Sequence, residues 1–299
     1  MKQENIRLDP ANRADNPEQD DFRDDGTHEV LPDLAYKRIA IVNVVFHGPA
    51  HQPDLPWVLI DAGVNGGTGM IRRAAQERFS RPPAAIILTH AHFDHVGCLE
   101  QLASEWNVPI YAHALEYPYL DGSASYPAPD PGAGGGLMAR LSGLYPRGPV
   151  DVREWLRTLP QDGEVPYMEM WQWIHLPGHT PGQVGLWREA DRTLIAGDAV
   201  VTTRQESAYS AIAQSEELNG PPAYYTQNWE QARESVQRVA ALEPEILLTG
   251  HGRAMRGAQV REGLHRLAAD FDELARPAHG KYVEEPVQAQ DGTAYDQAK

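Results

Sequence analysis

Ala84-Ala85-Ile86-Ile87-Leu88-Thr89-His90-Ala91-His92-Phe93-Asp94-His95-Val96-Gly97, residues 84–97, runs from an unbroken apolar stretch into three histidines and one aspartate within six positions. The apolar half reads as a buried strand. A strand end delivers side chains to a fixed place, and the turn after it lets four of them converge. Imidazole nitrogen and carboxylate oxygen are good ligands for first-row metal ions, zinc in particular. Asp94 and His95 are neighbours and would point apart in a regular element. In a turn they can address a second ion beside one held by His90 and His92. The plain alternative is a set of surface histidines without a role. Four ligand-type side chains at this spacing, directly after such a strand, argue against it.

The same arrangement recurs further along the chain. His179 lies in Leu176-Pro177-Gly178-His179-Thr180-Pro181-Gly182, after a strand ending near His175. Asp198 follows Ala196-Gly197, and His251 follows Leu248-Thr249-Gly250. In each case an apolar strand leads into a turn carrying Gly and then one ligand-type side chain. Taken singly, such a residue is an ordinary cap or turn former. Together, they supply the remaining ligands that a two-metal site needs.

Around these points short apolar runs alternate with amphipathic stretches. Arg38–Phe46 (RIAIVNVVF), Trp57–Ile60, Val108–Ala112, Met170–His175, Val184–Trp187, Thr193–Ala196 and Glu245–Thr249 read as strands. Helices are expected from Gly67 to Phe79, Gly97 to Trp106, Trp229 to Leu242 and Ala258 to Leu274, the first and last with an apolar stripe at helical spacing. This rhythm gives an α/β architecture. Residues 31–280 are expected to form a single domain, with polar tails or arms at 1–30 and 281–299. Residues 118–150 hold Pro118, Pro127, Pro129, Pro131, Pro146, Pro149 and the run Gly132-Ala133-Gly134-Gly135-Gly136. No single regular element accommodates them. This segment is either a surface insertion or a wall or lid over the active site.

Composition narrows the function. The chain has 299 residues, enough for a substantial core, and its 42 acidic against 26 basic residues give a formal charge of −16. Such a surface repels phosphate backbones, so nucleic acid is not an expected partner. One cysteine, Cys98, excludes an intrachain disulfide and a zinc site built from paired thiolates. Met1–Asn5 is polar with no apolar signal region after it, and no stretch approaches the length of a membrane span. The chain reads as soluble and cytoplasmic, with a small-molecule substrate as its partner. The Trp- and Tyr-rich segments fit a dimer interface, a lid or the core equally well.

The HxHxDH motif (His90, His92, Asp94, His95), with His179, Asp198, His251 and an early Asp61 in Ile60-Asp61-Ala62-Gly63, resembles the metallo-β-lactamase-fold hydrolase superfamily over roughly residues 35 to 275. Glyoxalase II-like and lactonase-like members are the ones it resembles. The resemblance implies a four-layer αβ/βα sandwich, two mixed sheets flanked by helices, with metals at the edge where strand ends converge. It further implies two zinc ions, with iron or manganese as alternatives. His90, His92 and His179 would hold the first, Asp94, His95 and His251 the second, and Asp198 would bridge. A bridging hydroxide would attack an ester-like carbonyl (lactone, ester or thioester), and Asp94 would carry the proton. Asp61 would orient the ligands or pin its loop, or be merely a turn-forming residue. An iron-dependent persulfide dioxygenase is the alternative. β-Lactamase, phosphodiesterase and non-catalytic binding-module readings rank lower. Cys98 and His113 are expected to be structural, and His47, His51, His175, His265 and His279 have no partner pattern. Tyr126, Tyr145, Tyr209 and Tyr224 lie in or near loops where one could donate to a substrate carbonyl.

Overall fold

Ala85–Ile87 is buried at every position, and its side chains serve two different cores. Ile86 joins an outer core, while Ala85 and Ile87 face inward. The same alternation governs Val58–Ile60, Thr193–Ile195 and Ile246–Leu248, as a period-two strand covered on both faces requires. A computed structural model, describing residues 5–15, 26–133, 142–203 and 216–297, shows the sheets these strands build.

The first sheet has seven strands, in the order His28–Leu31, Leu34–Ile39, Val42–His47, Val58–Ile60, Ala85–Ile87, Ile110–Ala112 and Leu156–Thr158. It is antiparallel up to Val58–Ile60 and parallel from there on. The second has five, in the order Trp171–His175, Val184–Arg188, Thr193–Ile195, Ile246–Leu248 and Met255–Arg256. Its one parallel pairing is Thr193–Ile195 with Ile246–Leu248. Val45, Val58, Ile60 and Ile87 of the first sheet meet Val184, Leu186, Ile195 and Leu248 of the second in the inner core.

Helices Thr68–Arg78 and Leu99–Trp106 cover the outside of the first sheet through Ile71, Ala74, Leu99 and Leu102. Helices Trp229–Ala241 and Ala258–Ala269 cover the second through Ala232, Val236, Val260 and Leu264. This is the αβ/βα sandwich of two mixed sheets flanked by helices. Among the described residues, no helix is long and apolar enough to cross a membrane.

Two elements differ from the sequence reading. Arg38–Phe46 is not one strand: Leu34–Ile39 and Val42–His47 form a hairpin, with Ile39 opposite Val42. Its turn uses Ala40 at φ 61°, a left-handed conformation that carries no Gly or Asn signal here. The last helix is broken at Asp270, a poor interior helix residue, into Ala258–Ala269 and Phe271–Leu274.

The terminal segments lie against the sandwich where they are described. Ile6–Arg7 pairs with Glu217–Leu218, and Ile6 and Leu8 join the outer core of the second sheet. Buried Asp15 accepts from the Tyr36 hydroxyl at 2.8 Å. Near the other end, Asp296–Gln297 pairs with Ala124–Ser125.

His113, just past Ile110–Ala112, stacks on His175 at the end of Trp171–His175, ring centroids 4.4 Å apart. Its Nδ1 accepts from the Leu115 amide, so the bonded form is the neutral one. Burial, with the His175 ring adding, lowers its pKa to about 4, against about 6.5 in an unfolded chain. Between those values the unfolded chain binds more protons, so stability rises with pH across that window. For this partly exposed ring the effect is about 1–2 kcal/mol. His113→Asn, which keeps a capping acceptor, is expected to flatten the pH dependence of urea unfolding between pH 4 and 6.5 by that amount.

Candidate metal centre

The parallel strands point their C-terminal ends at one edge of the sandwich, and the ligand-type residues sit in the turns just beyond. Ile60 leads into Asp61, Ile87 into His90, Ile195 into Asp198 and Leu248 into His251. Trp171–His175 runs the same way and leads into His179. The sheets are tied together at this edge. Asn43 donates to the carbonyls of Thr249 and Gly252, and the Val184 amide donates to Thr89 O.

Phe93–Val96 forms a single helical turn with His92 as its extended N-cap. The chain direction therefore changes after His92, and Asp94 and His95 leave from successive helical positions. All seven candidate ligands are buried. They form three overlapping groups: His90/His92/His179, His90/His95/Asp198 and Asp94/His95/His251, with donor atoms within 4.8 Å of one another in each.

His92 Nδ1 lies 3.1 Å from His90 Nε2 and 3.0 Å from His179 Nε2. The Asp198 carboxylate lies 3.2 Å from His251 Nε2, 3.5 Å from His179 Nε2 and 3.6 Å from His95 Nε2. Asp94 Oδ2 is 3.4 Å from His251 Nε2. Donors about 2.1 Å from one tetrahedral ion stand about 3.4 Å apart, so these separations suit a shared cation.

The opposite nitrogens of four of these rings are already engaged. His95 Nδ1 meets Asp61 at 2.8 Å, His179 Nδ1 meets Thr226 at 3.1 Å, His251 Nδ1 donates to Ile41 O at 2.8 Å, and His90 Nδ1 meets Thr89 at 3.1 Å. Such bonds fix each ring and leave its other nitrogen facing the cluster. His95 Nε2 and Asp198 Oδ1 are buried there without a hydrogen-bond partner. Gly250 keeps the space open, since a Cβ on it would lie 2.1 Å from Asp198 Oδ1 and 2.7 Å from His95 Cε1. Orphaned donors around a cradle that only glycine leaves free fit a divalent cation.

The electrostatics agree. Burial, with imidazole neighbours adding, holds His90 and His92 well below the usual histidine range and His179 at about 4, so their lone pairs are free. Burial also opposes charge on His95, but the Asp198 and Asp61 carboxylates outweigh it and raise its pKa. His251 is raised chiefly by Asp198 against the same burial. Asp198 itself, despite burial, is held well below the carboxylate range by His251 and His95. The cluster is built to hold positive charge.

The structure brings together His90, His92, Asp94, His95, His179, Asp198 and His251, and it puts Asp61 behind His95. Asp61 also accepts from the amide and hydroxyl of Thr89, both at 2.8 Å. Cys98 is buried and donates to Val64 O. His47 accepts from the Trp171 indole, His265 contacts Glu243, and His51 and His279 are exposed.

Within the described part of 118–150, the Tyr126 ring lies 4.4 Å from His92 and Tyr145 stacks on Phe93. The Gly134-Gly135-Gly136 run and Tyr209 lie outside the described residues. The Tyr126 hydroxyl is committed to Glu116, whereas the adjacent Tyr225 presents one that is buried and unpartnered, with its ring 4.7 Å from His92. The sequence reading passed over Tyr225 and Glu116. Tyr225 repeats its neighbour Tyr224, and Glu116 resembles an ordinary residue after a strand. Neither lies near a ligand-bearing turn in the sequence, so no local signal marked them.

Comparison with known proteins agrees with this geometry. Residues 50–251 match the family model of the metallo-beta-lactamase superfamily. The chain is 46% identical over 232 residues to the probable metallo-hydrolase YflN of Bacillus subtilis, covering 77% of this chain and 88% of that one. Its fold resembles a beta-lactamase domain protein from Burkholderia ambifaria, with TM-score 0.59, 22% identity and coverage of 86% and 76% of the two chains. It also resembles the metallo-beta-lactamase family protein TTHA1429 from Thermus thermophilus, with TM-score 0.53, 19% identity and coverage of 82% and 81%.

A metal ion held at about a thousand times its Kd adds about 4 kcal/mol of stability. In a chain of 299 residues, whose unfolding entropy scales to about 0.6 kcal/mol/K, that moves Tm by about 6 °C. Chelator treatment is therefore expected to lower Tm by that amount, and added zinc to restore it. In Asp198→Ala the chelator response should shrink to about 2 °C or less, as read by differential scanning calorimetry. A parent chain with no chelator response would contradict the metal centre.

Proposed function

The chain belongs to the metallo-beta-lactamase superfamily, and from that we propose that it is a zinc-dependent hydrolase of small molecules with an ester-like carbonyl: a lactone, ester or thioester. The observation that carries this reading is the buried convergence of seven ligand-type side chains with unpartnered donors facing one another. His90, His92 and His179 would hold one ion and Asp94, His95 and His251 the other, with Asp198 shared. Two such ions supply Lewis acidity and lower the pKa of a bound water to about 7.

The chain's own residues do the rest. Asp94, at the rim of the cluster, is placed to take the proton from the attacking water and return it to the leaving group. Tyr225 is the donor for the substrate oxygen. Burial, with the Asp94 carboxylate and Tyr145 adding, raises its pKa, so the phenol keeps its proton at neutral pH. Phe93, Tyr145 and Tyr225 form an aromatic wall that takes the apolar part of a substrate and keeps bulk water from the cluster.

The net charge of −16 supports a small substrate over a nucleic-acid phosphodiester. The persulfide dioxygenase alternative needs a smaller set of metal-binding residues, whereas all seven positions for two ions are filled in this chain.

Elemental mass spectrometry on protein purified without chelator is expected to give two zinc ions per chain, and a panel of lactones, esters, thioesters and β-lactams should identify the substrate class. About one iron and little zinc would overturn the proposal. With the best substrate, Tyr225→Phe is expected to lower kcat/KM about 100-fold while leaving metal content unchanged.

A further inference from the structure

Glu116 is 1% exposed, at the end of the short 3-10 turn Ala114–Glu116, and is not one of the seven candidate ligands. Its two carboxylate oxygens serve two different ligand-bearing loops. Oε2 accepts from the Ala91 amide at 3.0 Å, the peptide link between His90 and His92. Oε1 accepts from the Gly182 amide at 2.7 Å and the Thr180 hydroxyl at 2.9 Å, in the loop that carries His179. The Tyr126 hydroxyl donates to Oε2 as well, while the Tyr126 ring packs against His92. Gly182 is needed for this approach: a Cβ there would come within 2.8 Å of the Glu116 side chain and 3.0 Å of its backbone nitrogen.

We propose that Glu116 is a positioning residue that fixes the His90–His92 loop and the His179 loop in a single register and thereby sets the affinity of the His90/His92/His179 group for its ion. Among the described residues its hydrogen-bond donors are all uncharged, and burial outweighs them to push its pKa up, so holding Glu116 ionised here comes at a cost. Burying a carboxylate that way is costly, and a neutral side chain could tie two loops together at less cost. The extra charge has a purpose if a cation sits among the three neutral imidazoles that the loops carry.

The inference rests on the reading that those three histidines hold a metal, so its test needs no substrate and includes a check on that reading. Zinc is titrated into metal-free protein against a chromophoric chelator, with apo-protein Tm measured alongside. Wild type is expected to bind two equivalents, and His179→Ala identifies which step belongs to the group containing His179. Glu116→Gln keeps the shape but replaces one acceptor oxygen with an amide donor and removes the charge. It is expected to weaken that same step at least tenfold and leave the other unchanged, with apo Tm close to wild type.

Two wild-type steps in Glu116→Gln, or both weakened by the same factor, would overturn the inference. Should Glu116→Gln fail to fold, Tyr126→Phe carries the test. It keeps the ring and the carboxylate, and it must weaken the same step severalfold; an unshifted titration overturns the proposal. A wild-type chain that took up no zinc would overturn the ligand assignment itself, and this inference with it.

Discussion

The structure is organised around a charge that water cannot reach. Asp198 is 2% exposed, and among the described residues its carboxylate meets the imidazoles of His95, His179 and His251 rather than a lysine or arginine. An ionised carboxylate in such a place requires positive charge close by. His95 and His251 can supply it by protonation, as the rise in their pKa indicates, but a divalent ion supplies more and also satisfies the orphaned Asp198 Oδ1 and His95 Nε2. The rest of the sandwich positions that demand. The inner core fixes the separation of the two sheets, and the bonds from Asn43, Val184 and His251 across the seam fix their relative slide. A small shift of either sheet would separate Asp198, in the second, from His95, which follows the first.

Much of this could be read from the sequence because the turns are short. Between Leu88 and His90, or Leu248 and His251, there is no room for an excursion, so a ligand-type residue placed there must emerge at the strand end. The α/β architecture was legible for a related reason, since strands such as Ala85–Ile87 and Ile246–Leu248 are apolar at every position and need cover on both faces, while the four-layer arrangement came from the family resemblance. What was not legible depended on distance in the chain or on unusual backbone. The Ala40 turn lacks a turn residue, so two strands read as one. Glu116 takes its meaning from Ala91, 25 residues earlier, and Gly182, 66 residues later, and no local pattern records that pairing. Tyr225 and Tyr224 look alike in sequence, and only packing shows that it is Tyr225 whose ring lies on His92.

The division of labour between scaffold and loops follows from the same geometry. The ligands arise from strand ends and inherit the rigidity of the sheets. Phe93, Tyr126, Tyr145 and Tyr225 arise from turns and connecting segments outside the two large sheets. Chemistry is therefore written into the fold, which is why the family could be recognised from its ligand spacing, and under the proposed function selectivity falls to the loops.

Asp61 shows how tightly the ligand positions are specified. It sits at φ 60°, where a non-glycine residue costs about 1–2 kcal/mol. If its role were only to form a turn before Ala62-Gly63, glycine would remove that cost. The conformation aims the carboxylate back across the neighbouring strand end, where it accepts from the Thr89 amide, the Thr89 hydroxyl and His95 Nδ1. One strained residue thus fixes both the start of the His90 turn and the ring orientation of His95. Glu116 does the equivalent on the other side, between the His92 and His179 loops. The two carboxylates hold opposite flanks of the cluster without belonging to it, and each costs free energy that a scaffold without a cation to position would have no reason to incur.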